Sequence, residues 1–300
     1  SVIVEEKCLV NMSFDNREGY IWYNGNIVDW KTANIHVLNH GLHYASCVFE
    51  GERAYKGKIF ASEEHTDRLF NSALTLDMDI PFTKKEILDA KDKLLIENSL
   101  QDAYVRPFVW RGSEMMAVSA QTTKINVAIA VWEWPSYFDP EQKMQGIKLD
   151  IAKWKRPSPD CGPVHAKASG LYMICTLSKH EAESKGYSDA LMLDYRGQIA
   201  EATGANIFFK MSDGKLHTPL PDCFLDGITR RTVIKVAKNL GIETIERKIM
   251  PEEMENAEEC FLTGTAAEVT PVREIGNYKF IPGNVCLQLT EAYSKLVNRN

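Results

Sequence analysis

The chain has 300 residues, 44% of them apolar and 25% charged, a composition that excludes a disordered, collagen-like or disulfide-stapled protein. Its 35 basic and 41 acidic side chains leave a formal charge of −6, which excludes the dense basic surface that general nucleic-acid binding needs. The seven cysteines (Cys8, Cys47, Cys161, Cys175, Cys223, Cys260 and Cys286) are scattered, with no C-x-x-C spacing. An odd set of unpaired thiols points to the reducing cytoplasm.

Residues 1–11 read as a tag or an extension ahead of Met12, and Glu5, Glu6 and Lys7 stand where a signal peptide would be apolar. Two strand-like runs, Tyr20–Tyr23 and Ile27–Val28, flank Asn24-Gly25, a pair that favours a tight hairpin. Arg53–Tyr55 and Lys58–Phe60 flank Lys56-Gly57 in the same way. Ser62 is positioned to cap a helix reaching Leu76, with Leu69, Phe70, Ala73 and Leu76 at helical spacing. Thr83 and Glu86 form a capping-box pattern before Ile87, Ala90 and Leu94. Strands are expected at 103–110 and 125–132; the latter holds the longest apolar run, far too short for a membrane span.

Beyond Trp132 the pattern breaks over two prolines. A domain boundary is expected there, giving a small domain over 1–133, a loop over 134–143 and a larger domain over 144–300. In the larger domain the sequence suggests a strand at 146–152, a helix at 169–184 and a hairpin of 190–194 with 198–202. A strand at 206–211 follows, with helices starting near Gly227, Pro251 and Asn284 and strands near 242–249 and 259–262. Strands and helices mix without regular β-α-β alternation, so the expected class is α+β.

Several constellations invite chemistry. His36, His40 and His43 are spaced to share a helix face, but no acidic residue lies among them. They read as core or turn histidines, and no metal is expected. Lys153-Trp-Lys-Arg156 reads as a solvated loop. Gly227-Ile228-Thr229 precedes a basic helix, and Gly264-Thr-Ala-Ala267 follows a strand; each is either a plain turn or a place where backbone N–H groups meet an anion. Lys167 lies among small residues in His165-Ala-Lys-Ala-Ser-Gly170, room enough for a bulky group on its amine. Glu201, near a strand end, is by itself only a carboxylate.

Together these segments resemble the class IV aminotransferases, pyridoxal-phosphate enzymes of fold type IV. The resemblance runs through Glu201, Thr203, Asn206, Ile207, Phe208, Leu216, Thr218, Leu225, Gly227, Ile228 and Arg230, and extends over nearly the whole chain. Within that family it is nearest to the branched-chain amino acid aminotransferases, whose form of the 264–271 turn is present as Gly264-Thr-Ala-Ala-Glu-Val-Thr-Pro271. The stretch Arg111-Gly-Ser-Glu-Met-Met-Ala-Val118 departs from the glycine-rich turn common in that subfamily.

The resemblance implies a two-domain α+β fold, D-amino acid aminotransferase-like, with a small α/β domain and a larger barrel-like domain. The cofactor, pyridoxal 5'-phosphate, is expected between them. Lys167 would carry it covalently and move the substrate proton. Glu201 would pair with its ring nitrogen, Tyr172 with its phenolic oxygen, and Leu225 would pack on the ring. Arg68, Gly227, Ile228, Thr229 and Thr265 would hold its phosphate. Tyr44, Phe49, Tyr104, Arg106, Trp134 and Tyr137 would form the side-chain pocket, while Thr265 and Ala266 would receive the α-carboxylate. The implied reaction passes the amino group of leucine, isoleucine or valine to 2-oxoglutarate, in a homodimer or an assembly of dimers. Within the fold the alternatives are a D-amino acid or (R)-amine transaminase, or an aminodeoxychorismate lyase. From another class, the alternative is a non-catalytic binding protein built on the same fold.

Overall fold

The computed structural model describes residues 13–135 and 140–299. The described chain divides into two compact units. The first holds the residues up to 135 together with Ala166–Gly170, and the second holds 140–165 and 171–299.

In the first unit, β1 (Tyr20–Tyr23) and β2 (Asn26–Asp29) form the expected hairpin about Asn24-Gly25. A short helix α1 (His40–Tyr44) leads to β3 (Cys47–Phe49), then β4 (Glu52–Tyr55) and β5 (Lys58–Ile59) form the second hairpin. Helices α2 (Ser62–Thr75) and α3 (Lys84–Glu97) precede the long pair β6 (Ala103–Arg111) and β7 (Ile125–Glu133). The resulting seven-stranded sheet runs β2-β1-β7-β6-β4-β5, with β3 added to β6. Val105, Val109, Val127, Ile129 and Val131 are buried in its centre, where β-branched side chains pack well on a pleated surface.

The α3 capping box forms as expected: Glu86 N–H donates to Thr83 Oγ1 and Thr83 N–H donates to the Glu86 carboxylate, both at 3.1 Å. Ser62 does not cap α2. The N-cap is Ala61, at φ 54° and without a side-chain bond, and Ser62 is the first helical residue. Its oxygens turn to Lys91 and Thr66 instead. The three histidines do not share a helix, because α1 starts only at His40. His36 Nδ1 accepts from Leu38 N–H, His43 Nε2 donates to Val37 C=O, and His40 bonds Ser46 Oγ and Ala117 C=O.

The second unit carries β8 (Ile147–Ile151), a 3-10 turn over Ser169–Tyr172, α4 (Met173–Ser184), β9 (Asp189–Leu193) and β10 (Ile199–Ala202). Strands β11 (Asn206–Met211) and β12 (Leu216–Pro219) lead into α5 (Ile228–Asn239). Next come β13 (Thr244–Arg247), β14 (Ala257–Gly264), β15 (Glu268–Ile275), β16 (Tyr278–Lys279) and α6 (Asn284–Val297). Two expected helices are modified: 169–172 is a 3-10 turn before α4, and Pro251–Asn256 is 3-10 throughout. The nine-stranded sheet runs β10-β9-β8-β15-β14-β11-β12-β13, with β16 on β15. It is mixed, since β8–β9, β8–β15 and β12–β13 pair in parallel. Its core gathers Leu149, Leu191, Ile207, Phe209, Leu262 and Val272, each side chain contributing about 1.5–3 kcal/mol on burial. Helix α6 buries Cys286, Leu289, Thr290, Tyr293 and Val297 along one stripe. The α+β class is as expected, and among the described residues no helix is long and apolar enough to cross a membrane.

Candidate active site

In the first unit the chemistry gathers around β3. Val48 bridges to Ala168, Phe49 N–H donates to Lys167 C=O at 3.1 Å, and Lys167 N–H donates to Ser72 Oγ at 3.0 Å. The lysine backbone is thus fixed between a strand and helix α2, while Ala166 and Ala168 on either side are buried. Lys167 Nζ lies 4.7 Å from the Phe49 ring centroid, and the Arg106 guanidinium lies 4.5 Å from the same ring. Arg106 Nη2 donates to Tyr104 Oη at 2.9 Å, and the Tyr104 ring meets that of Trp134 at 5.6 Å. Gly51 makes room for this hydroxyl, because a Cβ there would fall 2.1 Å from Tyr104 Oη. Lys167, Phe49, Tyr104, Arg106 and Trp134 therefore form one cluster. Tyr44 is placed differently: it is 46% exposed, with its ring stacked on His40 at 4.7 Å. Tyr137 lies outside the described residues.

Arg68 projects from α2 into a buried carboxylate. Its Nε and Nη2 both donate to Glu50 at 2.7 Å, and His65 Nδ1 donates to Glu50 Oε1 at 2.7 Å. His65 and Arg68 are three residues apart on one helix face, so a single acid between β3 and β4 receives both. Burial acts to raise the Glu50 pKa, but the Arg68 charge and the hydrogen bonds from His65 and Arg68 outweigh it and hold the carboxyl at about 2. Beside it, Lys91 Nζ donates to Glu52 Oε1 at 2.8 Å and to Thr66 Oγ1 at 2.7 Å, with both charged side chains fully buried. Sequence reading missed Glu50. The only available signal was an acid set between two strand-forming runs.

In the loop that holds 111–118, Glu114 is exposed and bonds back to the backbone. Glu114 Oε1 accepts from Lys124 N–H, and a Cβ on Gly112 would meet that same oxygen at 2.6 Å. Ala117 C=O receives His40 Nε2–H at 2.9 Å, which ties the loop to α1.

In the second unit, Leu225, Gly227, Ile228 and Thr229 occupy one continuous loop and helix start. Gly227 is the N-cap of α5 and has no side-chain cap, so the first N–H groups of the helix face outward without an intrahelical acceptor. The approach is tight: a Cβ on Gly227 would lie 2.3 Å from Asn206 Oδ1, while Asn206 Nδ2 donates to Leu225 C=O at 3.0 Å. Thr265 and Ala266 lie in the turn from β14 to β15, half-buried and exposed respectively. Gly264 at its base approaches Gly204 and Ala205, which brings this turn beside the Asn206 loop. Tyr172 ends the 3-10 turn and is half-buried. Arg230, fully buried, pairs with Asp226 at 2.8 Å and Glu246 at 2.6 Å; it supports the loop structurally.

Glu201, on β10, meets Arg156, whose Nε lies 3.5 Å from Glu201 Oε1. Arg156 corrects the sequence reading of a solvated loop. It is 4% exposed, bridged through its backbone to Asp194, with Nη2 donating to Cys223 C=O at 3.2 Å. The first unit holds an amine and an arginine, and the second holds an acid and an uncapped helix start. Donors of these kinds fit a phosphorylated, ring-nitrogen-bearing aldehyde, whose phosphate suits the free amides of a helix start.

A family model described as amino-transferase class IV matches residues 47–275. A Rickettsia bellii protein named probable branched-chain-amino-acid aminotransferase is 44% identical over 287 residues, covering 94% of this chain and 98% of its own. The Pseudomonas aeruginosa branched-chain-amino-acid aminotransferase is 42% identical over 294 residues, covering 96% and 95%. Among solved structures, the branched-chain aminotransferase from the thermophilic archaeon Thermoproteus uzoniensis, with norvaline, superposes with a TM-score of 0.89 at 34% identity. It covers 94% of this chain and 95% of that one. The Thermobaculum terrenum branched-chain amino acid aminotransferase in its PLP form superposes with a TM-score of 0.85 at 31% identity, covering 94% of both chains.

Proposed function

The chain belongs to the class IV aminotransferases, and from that premise we propose that it is a pyridoxal-phosphate-dependent branched-chain amino acid aminotransferase. The observation that carries this reading is the cluster of Lys167, Phe49, Tyr104 and Arg106. An amine beside an aromatic wall and an arginine suits a pocket that must take an apolar side chain in one half-reaction and a carboxylate in the other. Bound pyridoxal phosphate supplies an electron-withdrawing ring that stabilises negative charge at the substrate Cα.

The chain's own groups do the rest. Lys167 Nζ would hold the cofactor and, once the substrate amine had displaced it, would carry the proton from the substrate Cα to the cofactor C4′. The Glu201 carboxylate would hold a proton on the ring nitrogen, and Tyr172 would donate to the phenolic oxygen. Arg68, kept in orientation by Glu50, would bind the phosphate, as would Thr265 and the amides of Ile228 and Thr229, and Leu225 would cover the ring. Phe49 and Trp134 exclude water from the apolar side chain of leucine, isoleucine or valine. Arg106 and Tyr104 bind the distal carboxylate of glutamate or 2-oxoglutarate, and the Thr265 and Ala266 amides bind the α-carboxylate.

The D-amino acid, (R)-amine and lyase readings are set aside, since the relatives matching 94% and 96% of the chain carry the branched-chain name. A homodimer fits the surface: Val37, Leu38, Leu42, Met116 and Val118 are exposed, and the His40–Ala117 bond joins their two segments into one apolar area suited to a second copy. Six cysteines, from Cys47 to Cys286, are free thiols, in keeping with a cytoplasmic setting.

Borohydride reduction of the cofactor-loaded protein, followed by peptide mapping, tests the assignment. The label is expected on Lys167, and a label on another lysine overturns it. Half-reactions with L-leucine, D-amino acids and (R)-amines then identify the donor by the change in absorption.

A further inference from the structure

Arg156 is a buried cation that the proposed reaction does not yet use. Its backbone N–H donates to Leu193 C=O at 2.9 Å, which draws residue 156 against β9. Its side chain is 5% exposed. The acids near this part of β9 are held by another arginine: Arg196 donates to Asp194 at 2.8 Å and to both oxygens of Asp222 at 2.9 and 2.8 Å. Asp194 also accepts the N–H groups of Arg196 and Gln198. The charge of Arg156 is therefore directed at Glu201, 3.5 Å away, and its Nε makes no hydrogen bond. The other end of the guanidinium donates to Cys223 C=O, in the buried cluster of Val164, Ala200, Cys223 and Phe224. Cys223 begins the segment that continues through Leu225 and Gly227 into α5.

We infer that Arg156 is a positioning residue for the cofactor. It keeps Glu201 ionised inside a low-dielectric site, and the same planar group anchors the 223–227 segment, so the acid and the ring-covering loop hold one spacing. A buried carboxylate without a cation takes up a proton, and a protonated Glu201 cannot hold a proton on a ring nitrogen. Lysine could supply the charge but not the two-ended reach of a guanidinium. This rests on the reading that Glu201 faces the pyridine nitrogen.

The test is a double-mutant cycle on the full chain, stripped of cofactor and titrated with pyridoxal phosphate. Its readouts are Kd and the nitrogen NMR shift of the ring-labelled cofactor. Arg156→Met and Glu201→Gln are each expected to weaken binding by about ten-fold and to move the ring nitrogen toward its unprotonated shift. The double variant is expected to bind more tightly than the two single losses together would give, since the part of the Arg156 effect that runs through Glu201 is already lost. Should Arg156→Met fail to fold, Arg156→Gln, which retains a donor for the Cys223 carbonyl, runs the same cycle. Losses that simply add, or an unmoved ring-nitrogen shift in the Arg156 variant while Glu201→Gln moves it, overturn the role of Arg156 alone. An unmoved shift in Glu201→Gln overturns the reading of Glu201 and this inference with it.

Discussion

Among the carboxylates that meet arginines, Glu50 and Glu201 are held in opposite ways. Glu50 has no exposed surface, receives Arg68 on both oxygens at 2.7 Å and takes His65 as well. Glu201 keeps a side chain 14% exposed and has Arg156 Nε 3.5 Å away. Close, two-pronged contact in a dry interior fixes geometry: Glu50 organises the helix that carries Arg68, and removing it would take one acceptor from three donor atoms, His65 Nδ1 and Arg68 Nε and Nη2. On the proposed reading, one acid serves the architecture and the other serves chemistry.

The largest expected effect breaks the first half of that contrast. Glu50→Ala should destabilise the chain by about 3–5 kcal/mol, lowering Tm by roughly 10 °C; calorimetry showing no change would remove Glu50 from its structural role. The same acid sets an acid limit. Because its folded pKa of about 2 lies below its ordinary 4.5, its contribution is complete above pH 4.5 and disappears as pH falls toward 2. Urea midpoints measured across that window should decline, and the decline should be shallower in Glu50→Ala.

Glu201→Gln should slow the leucine half-reaction by about a hundred-fold or more while moving Tm little; a melting loss as large as that of Glu50→Ala would erase the distinction. Arg106→Met should reduce kcat/KM for 2-oxoglutarate about ten-fold more than for leucine, and equal losses would argue against a dual-substrate role. The mildest test uses thiols. Burial, then the Asp194 and Asp222 charges, push the Cys223 thiol up to about 12, so maleimide should label exposed Cys161 and leave Cys223 untouched. Mass spectrometry of the labelled peptides reads this directly, and labelling of Cys223 would mean that the loop held by Arg156 opens in solution.

Local signals were legible in the sequence. The Asn24-Gly25 and Lys56-Gly57 turns, the Thr83–Glu86 box and the apolar runs of β6 and β7 depend on neighbours in the chain, and each appears where expected. What was missed depends on distant partners. Strand β15 was hidden by Pro271, tolerated because pairing with β8 begins only at Val272. Strand β3 is three residues long and owes its conformation to β6. The resemblance pointed to Lys167 and Glu201 through their motif, yet nothing in Lys153-Trp-Lys-Arg156 announced a buried guanidinium. That burial comes from the bridge to Asp194, a residue remote in the chain. Glu50 was unreadable for the same reason: its meaning lies on a helix that follows it.

The segment Ala166–Gly170 belongs with the first unit, although the chain on both sides of it belongs with the second. During synthesis β6 and β7 can pair before residue 167 leaves the ribosome, and the piece that completes β3 arrives later. Dissection meets the same order. A fragment ending at residue 135 would carry Arg68, Tyr104 and Arg106 but not Lys167, so adding a peptide spanning 160–175 back to it becomes a way to measure what that strand contact contributes.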